Sequence, residues 1–365
     1  MKVYKAIGLM SGTSLDGIDA ALIETDGERH VQRLGFITIP YDDTFRAKLR
    51  QFFGLKPQDR AKVAAVEREL TERHAEAVRQ LLQQTGASKI DLVGFHGQTI
   101  SHDPAAGYTI QIGDGALLAQ MTGIPVVNDF RTADVAAGGH GAPLVPVYHR
   151  AIAAPLNLPV AILNIGGVAN VTYIGVDGKM LAFDTGPGNA LIDDWMLQKT
   201  GEKYDAAGRL ATTGTVDEAV LQKLMAHDYF KKPAPKSLDR NAFHADVYHH
   251  LSAENGAATL AAFTADAVGA ALALLPQKPA TWVVCGGGRL NKFIMRRLKS
   301  VTGAHVAQID EMGINGDAVE AEAFAYLAVR SFLGLPISFP GTTGVKHDMV
   351  GGVLHLVPDK KAGFA

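Results

Sequence analysis

Short apolar runs broken by glycine-bearing polar turns open both halves of the chain. Val3 to Leu9 is apolar apart from Lys5, and Ile18 to Ile23 resumes the pattern beyond a polar loop, which predicts strand, tight loop, strand. From Pro57 to Thr85 the apolar positions Val63, Val66, Leu70, Ala77 and Leu81 recur mostly at three- and four-residue intervals. That spacing predicts a long helix with one packed face, stopped by Gly86. Ile90 to Phe95 then reads as a short buried strand ending in His96-Gly-Gln-Thr99, and Gln111-Ile-Gly-Asp-Gly115 starts another helix. Ile124 to Val127 is a strand that delivers Asn128-Asp-Phe-Arg131.

The second half repeats the opening. Val160 to Asn164, Gly166-Gly167 and Val168 to Ile174 form another glycine-turned hairpin. Met180 to Phe183 leads into Asp184-Thr-Gly-Pro-Gly-Asn189, followed by a helix with Asn189 as N-cap and Gly201 as its stop. Residues 203–257 are polar and mixed, with no assignable period. Helices are predicted over Ala258 to Leu275, Leu290 to Lys299 and Asp317 to Phe332, and Trp282 to Cys285 is a strand closed by Gly286-Gly-Gly288. Strands alternating with helices indicate an α/β fold with ligands at the strand ends. The two hairpins point to a duplication, with domains at 1–130 and 131–365 and Gly138 to Pro143 as a flexible crossing.

Composition narrows the class. The chain has 365 residues, 47% apolar and 20% charged, as expected of a folded enzyme and not of a disordered segment. A net charge of −2 argues against a nucleic-acid partner. No apolar run is read as approaching the ~20 residues that cross a bilayer, so no membrane partner is expected. The first residues enter a strand directly, and Cys285 is the only cysteine, which excludes an internal disulfide framework and places the chain in a reducing cytoplasm.

The turns carry the candidate chemistry. In the first, Gly8, Gly12 and Gly17 are expected to supply positive φ, while Ser11, Thr13 and Ser14 add hydroxyls beside loop N–H groups that form an anion site. An ordinary polar hairpin turn would show the same residues, but three such turns in this order favour a nucleotide, whose phosphates need donors from several directions. The turns span residues 8–17, 164–170 and 285–289, with Gly286, Gly287 and Gly288 making room for a flat base. Asp184, exposed by a Gly-Pro-Gly turn, suits a general base, although aspartates in turns often bond their own backbone. Glu320 fits either a capping box begun by Asp317 or a sugar contact. His96 with Gln98 suit sugar hydroxyls and Asp129 with Arg131 an anionic substituent, arginine being apt for a carboxylate; each also reads as a structural turn residue. Asp16 and Asp19 are candidates for holding Mg²⁺ directly or through water, with a buried, paired acid as the other reading of Asp19.

Taken together these motifs resemble the anhydro-N-acetylmuramic acid kinase family. The residues that carry the resemblance are Gly8-Leu-Met-Ser-Gly-Thr-Ser-Leu-Asp-Gly17, Phe95-His-Gly-Gln-Thr99, Asn128-Asp-Phe-Arg131, Ala136-Ala-Gly-Gly-His-Gly-Ala-Pro-Leu-Val-Pro146, Leu163-Asn-Ile-Gly-Gly167, Phe183-Asp-Thr-Gly-Pro-Gly-Asn189 and Val284-Cys-Gly-Gly-Gly288. The likeness extends from residue 4 to about 335. It implies two actin-like (ribonuclease H-like) domains with the active site in the cleft between them. It implies a role in bacterial peptidoglycan recycling, turning 1,6-anhydro-N-acetylmuramic acid, ATP and water into N-acetylmuramic acid 6-phosphate and ADP, with Mg²⁺ as cofactor and a homodimer as assembly. By the same resemblance Asp184 is the general base, and Gly12, Thr13, Ser14, Leu15, Asp16, Gly17, Ile18 and Asp19 form the ATP-phosphate loop. Gly166, Gly167, Asn170, Gly286, Gly287 and Gly288 complete the nucleotide contacts, and His96, Gln98, Asp129, Arg131 and Glu320 meet the sugar. Two other readings share the three turns: a nucleotide-switched actin-like ATPase without a sugar, and a sugar kinase that phosphorylates an ordinary hydroxyl.

Overall fold

The computed structural model describes residues 2–238, 242–243 and 245–358. Backbone contacts divide the chain into two units, Met1–Ala154 with Ala318–Ala365, and Pro155–Asp317. The boundary expected at 130/131 is therefore displaced, and the chain crosses twice. Residues 131–154 stay with the first unit, and the helix Val319–Phe332 returns to pack on its sheet.

The first unit holds β1 (Tyr4–Ser11), β2 (Gly17–Thr25), β3 (Val31–Pro40), β4 (Leu92–Asp103), β5 (Tyr108–Ile112) and β6 (Val126–Asn128). Their order is β6-β4-β1-β2-β3, with β5 folded back on β4 and a short C-terminal strand, Val353–His355, on the outer side of β6. β1 is antiparallel to β2 and parallel to β4. β4 does not stop at Phe95. Its second half is paired by β5, so His96 to Thr99 lie within the strand, where Gly97 takes φ +71°. For the same reason Gln111 and Ile112 end β5, and the next helix, Gly115–Thr122, is capped by the Asp114 carboxylate, which accepts from the Leu117 N–H at 2.9 Å. The helix predicted between Pro57 and Thr85 is present as a 3₁₀ turn followed by Ala64–Thr85, and Gly86 ends it in the left-handed region.

The second unit holds β7 (Val160–Ile165), β8 (Val168–Ile174), β9 (Met180–Pro187), β10 (Thr281–Cys285) and β11 (His305–Gln308), in the order β11-β10-β7-β8-β9. Strand for strand this repeats β6-β4-β1-β2-β3, with the same two antiparallel pairings followed by two parallel ones. The duplication read from the two hairpins is thus carried by whole sheets, and the doubled order is that of ribonuclease H-like units in an actin-like chain.

Two glycines set how the returning helix seats. Gly8 of β1 and Gly94 of β4 are register partners. A Cβ on Gly8 would stand 1.8 Å from the Ala321 carbonyl oxygen, and one on Gly94 would stand 2.1 Å from that of Phe324. Only bare backbone lets an alanine-rich helix lie this close to the sheet. The helix Ala253–Ala271, extended by a 3₁₀ turn to Leu274, is long and apolar enough to cross a membrane, contrary to the sequence reading. It lies instead in the second unit's core among Trp195, Trp282 and Leu298.

Candidate active site

In the first unit the loop after β1 is held from below. Ser11 donates its hydroxyl to Gln98 Oε1 at 2.6 Å and lies 2.9 Å from the Tyr41 hydroxyl, while Gln98 Nε2 donates to the carbonyls of Gly12 and Thr99, each at 3.2 Å. Gln98 is fully buried, so it braces the loop and presents no surface to a sugar. The loop carbonyls face protein donors: Gly12 also accepts from the Leu15 N–H, Leu15 from Arg46, and Asp16 from the Tyr41 N–H. Gly8, Gly12 and Gly17 do not take positive φ. Gly8 and Gly17 serve close packing, Gly17 against the Ile39 carbonyl. The left-handed residue is Leu15, at φ +61°, with its side chain wholly buried. That apolar anchor holds the strained turn in place. Thr13, Ser14 and Asp16 are exposed beside it. Asp19, on β2, accepts from the Thr38 hydroxyl at 2.6 Å.

The second group in this unit centres on Arg131. Its guanidinium donates to His96 Nε2 at 3.0 Å and 3.2 Å and to the Gly141 carbonyl at 2.7 Å. Because arginine only donates, His96 Nε2 is an acceptor, so Nδ1 carries the proton and donates to the Gly97 carbonyl at 2.8 Å. Burial, then Arg131, holds the His96 pKa well below its ordinary value, so the ring is a neutral orienting group. Burial brings Arg131 down to about 10, against the opposing pull of Glu320 and Asp134. Burial likewise raises Glu320, offset by Arg131 and reinforced by Asp19. The capping box expected at Asp317 is absent: the helix begins at Val319 after Ala318, and the Asp317 carboxylate accepts from Arg289 at 2.8 Å. Asp129 sits at φ +51°, an uncommon conformation for a residue with a side chain, and its carboxylate reaches the Thr132 N–H only at 3.4 Å.

In the second unit, Asp184 is register partner of Asn170 across β8 and β9, so the two share one sheet face. Its Oδ2 accepts from the Leu238 N–H at 2.8 Å. Burial raises its pKa to about 6, with the Leu238 N–H and the Lys236 charge working in the opposite direction. The hairpin turn at Gly166-Gly167 caps the next helix: the Gly166 carbonyl accepts from the Asn189 N–H at 2.7 Å and the Gly167 carbonyl from the Gly188 N–H at 3.0 Å. Asn189 stands at the predicted helix start, yet its side chain caps nothing and donates to the Ile165 carbonyl at 3.1 Å. Gly286 takes φ +72° with a Cβ position only 2.2 Å from Asn164 Oδ1, and a Cβ on Gly288 would strike Ile165 at 2.2 Å. Gly166, Gly167 and Gly287 have open Cβ positions, the nearest atoms lying 3.6–3.7 Å away. Sequence reading missed Tyr229, Lys236 and Leu238, which enclose Asp184. The Lys232-Pro-Ala-Pro-Lys236 run, biased to extended backbone, was the available signal. Of the unassigned region 203–257, residues 239–241 and 244 lie outside the described residues.

A family model for anhydro-N-acetylmuramic acid kinase matches residues 4–356. The chain belongs to that family. A relative from Rhizorhabdus wittichii named anhydro-N-acetylmuramic acid kinase is 55% identical over 96% of this chain and 98% of its own length. Relatives of the same name from Rhodospirillum rubrum and Zymomonas mobilis are 53% and 48% identical, covering 95% and 96% of this chain and 93% and 100% of their own. Membership makes the chain a kinase, a phosphotransferase with a hydroxyl acceptor that uses ATP and a small sugar. The family match also reaches into the tail beyond Leu335, which sequence motifs alone had not covered.

Proposed function

We propose that this kinase opens the 1,6-anhydro bridge of 1,6-anhydro-N-acetylmuramic acid with water while phosphorylating O6 from ATP, with Asp184 as general base. The observation that carries this reading is the Asp184 carboxylate, within β9, bonded at one oxygen and with its pKa raised to about 6. A base poised near neutrality is ionised at working pH yet basic enough to take a proton from water. The water attacks the anomeric carbon as oxocarbenium-like charge develops there, its proton passes to Asp184, and the C1–O6 bond breaks. The freed O6 then attacks the γ-phosphorus, and ADP leaves with the bridging oxygen's charge.

The loop Gly12 to Asp19 and the turns at Gly166-Gly167 and Gly286 to Gly288 receive the nucleotide, with Asn170 beside the base. Asp16 and Asp19 suit Mg²⁺. Among the described residues no group of three acids, histidines or cysteines forms a metal cage, and this ion on ATP needs only one or two carboxylates besides phosphate and water. When bound, it would neutralise charge on the phosphates. Arg131 and Glu320 form the sugar-side pair in the first unit; His96 orients Arg131, Gln98 holds the loop, and Asp129 adds a carboxylate. The reaction is assigned to the cytoplasm, where sugar and ATP are free substrates.

The test is ADP release from Mg·ATP with and without 1,6-anhydro-N-acetylmuramic acid, with the product mass recorded. A sugar-dependent signal and a gain of one phosphate plus one water is expected. Phosphate gain without water would leave an ordinary sugar kinase, and ADP release indifferent to the sugar would leave a nucleotide switch.

A further inference from the structure

Residues 228–238 run beside β9 at Asp184 and engage that residue at three points. The Tyr229 hydroxyl donates to the Asp184 carbonyl, the Asp184 N–H donates to the Lys236 carbonyl at 3.0 Å, and the Leu238 N–H donates to Oδ2 at 2.8 Å. Lys236 closes this strap on itself. Its ammonium donates to the Tyr229 carbonyl at 3.1 Å and stands 4.4 Å from the centre of the Tyr229 ring, in a side chain only 8% exposed.

We propose that this strap determines which oxygen of Asp184 receives the proton, and that Lys236 is its positioning residue. The inference rests on the reading of Asp184 as the base. The Leu238 N–H holds Oδ2, so Oδ1 is the oxygen assigned to the attacking water. An aliphatic side chain would fill the same space and stack on Tyr229 without the cost of burying an ammonium. What the charge adds is attraction to Asp184, opposing the desolvation that the strap itself imposes. Among the described residues, the charged and titratable groups concerned are Lys236 and Tyr229 on the strap, and Lys232, whose repulsion acts on Lys236; the residue opposite on β8 is the uncharged Asn170. The strap thus makes the carboxylate both asymmetric and ionisable.

The experiment follows the Asp184 carboxyl carbon by NMR in protein labelled at aspartate, its resonance identified by loss in Asp184→Asn, alongside the acid limb of kcat. Lys236→Met is expected to raise both titrations by about one pH unit, roughly a tenfold loss of kcat below the limb, with the sugar KM unchanged. Lys236→Arg is expected to restore the wild-type limb. Unmoved titrations in Lys236→Met would overturn the proposal, as would equal losses in both variants with the limb in place, the mark of a purely structural lysine. Should Asp184→Asn keep near-normal turnover, the base assignment fails separately, while the NMR titration still decides the strap.

Discussion

The first hairpin and the second occupy the same place in sheets of the same topology, and they differ where the chemistry is expected. Counting from each turn, Asp19 on β2 stands where Asn170 stands on β8, and their register partners are Thr38 on β3 and Asp184 on β9. One unit has its carboxylate on the inner strand, tied to a hydroxyl at 2.6 Å; the other has it on the outer strand, tied to a backbone N–H at 2.8 Å. The first carboxylate stands beside a neutral hydroxyl, whereas burial under the strap pushes the second up to about 6. On the proposed reading, the duplicated scaffold divides labour by moving one acid across one pair of strands.

The largest test of that division is Asp184→Asn, which is expected to lower turnover by about 10³-fold or more while ATP still binds. Calorimetry with ATP and steady-state rates measure the two arms; near-normal turnover would remove Asp184 from the role. Next comes the sheet itself. Gly8→Val drives a side chain into the Ala321 carbonyl and is expected to cost about 3 kcal/mol or more, read by denaturant unfolding. Ile162→Val, at the equivalent register position in the second sheet, should cost only about 1 kcal/mol.

Asn170→Asp converts the second pair toward the first by adding a like charge beside the base. It is expected to move the acid limb of kcat from near 6 upward by about one pH unit, and an unmoved limb would separate the two side chains. Glu320→Gln should raise the sugar KM about tenfold, as loss of one charged hydrogen bond would, with little change in melting temperature. A large melting loss at normal KM would make Glu320 structural. A further effect concerns stability. The folded-state pKa of Asp184 lies above 3.8, so the folded state holds its proton longer than the unfolded one, and this group's contribution declines as pH rises from about 4 through 6. Asp184→Asn should accordingly raise the melting temperature at pH 7 and leave it unchanged at pH 3.

The sheets and turns were legible because their signals are local: apolar runs of strand length, glycine after strands, and a three-to-four periodicity ending at Gly86. The unit boundary was not, since nothing local announces that Val319–Phe332 belongs beside Gly8 and Gly94. Glycine identity was visible but its use was misread, because a glycine that admits a helix looks the same in sequence as one that turns. Asp317 resembled a cap only while Arg289 was out of sight. The strap over Asp184 escaped for a related reason: its contacts are mostly backbone bonds, which leave no residue signature beyond two prolines.

The Gly8–Gly94 trough also sets a timetable. β1 leaves the ribosome well before the helix that covers it, which ends at Phe332, after the entire second unit. Vectorial synthesis thus delivers the inserted unit complete, at Asp317, while the first sheet still has a bare face. Domains fold as units during translation, so the order of completion inverts the order of the sequence.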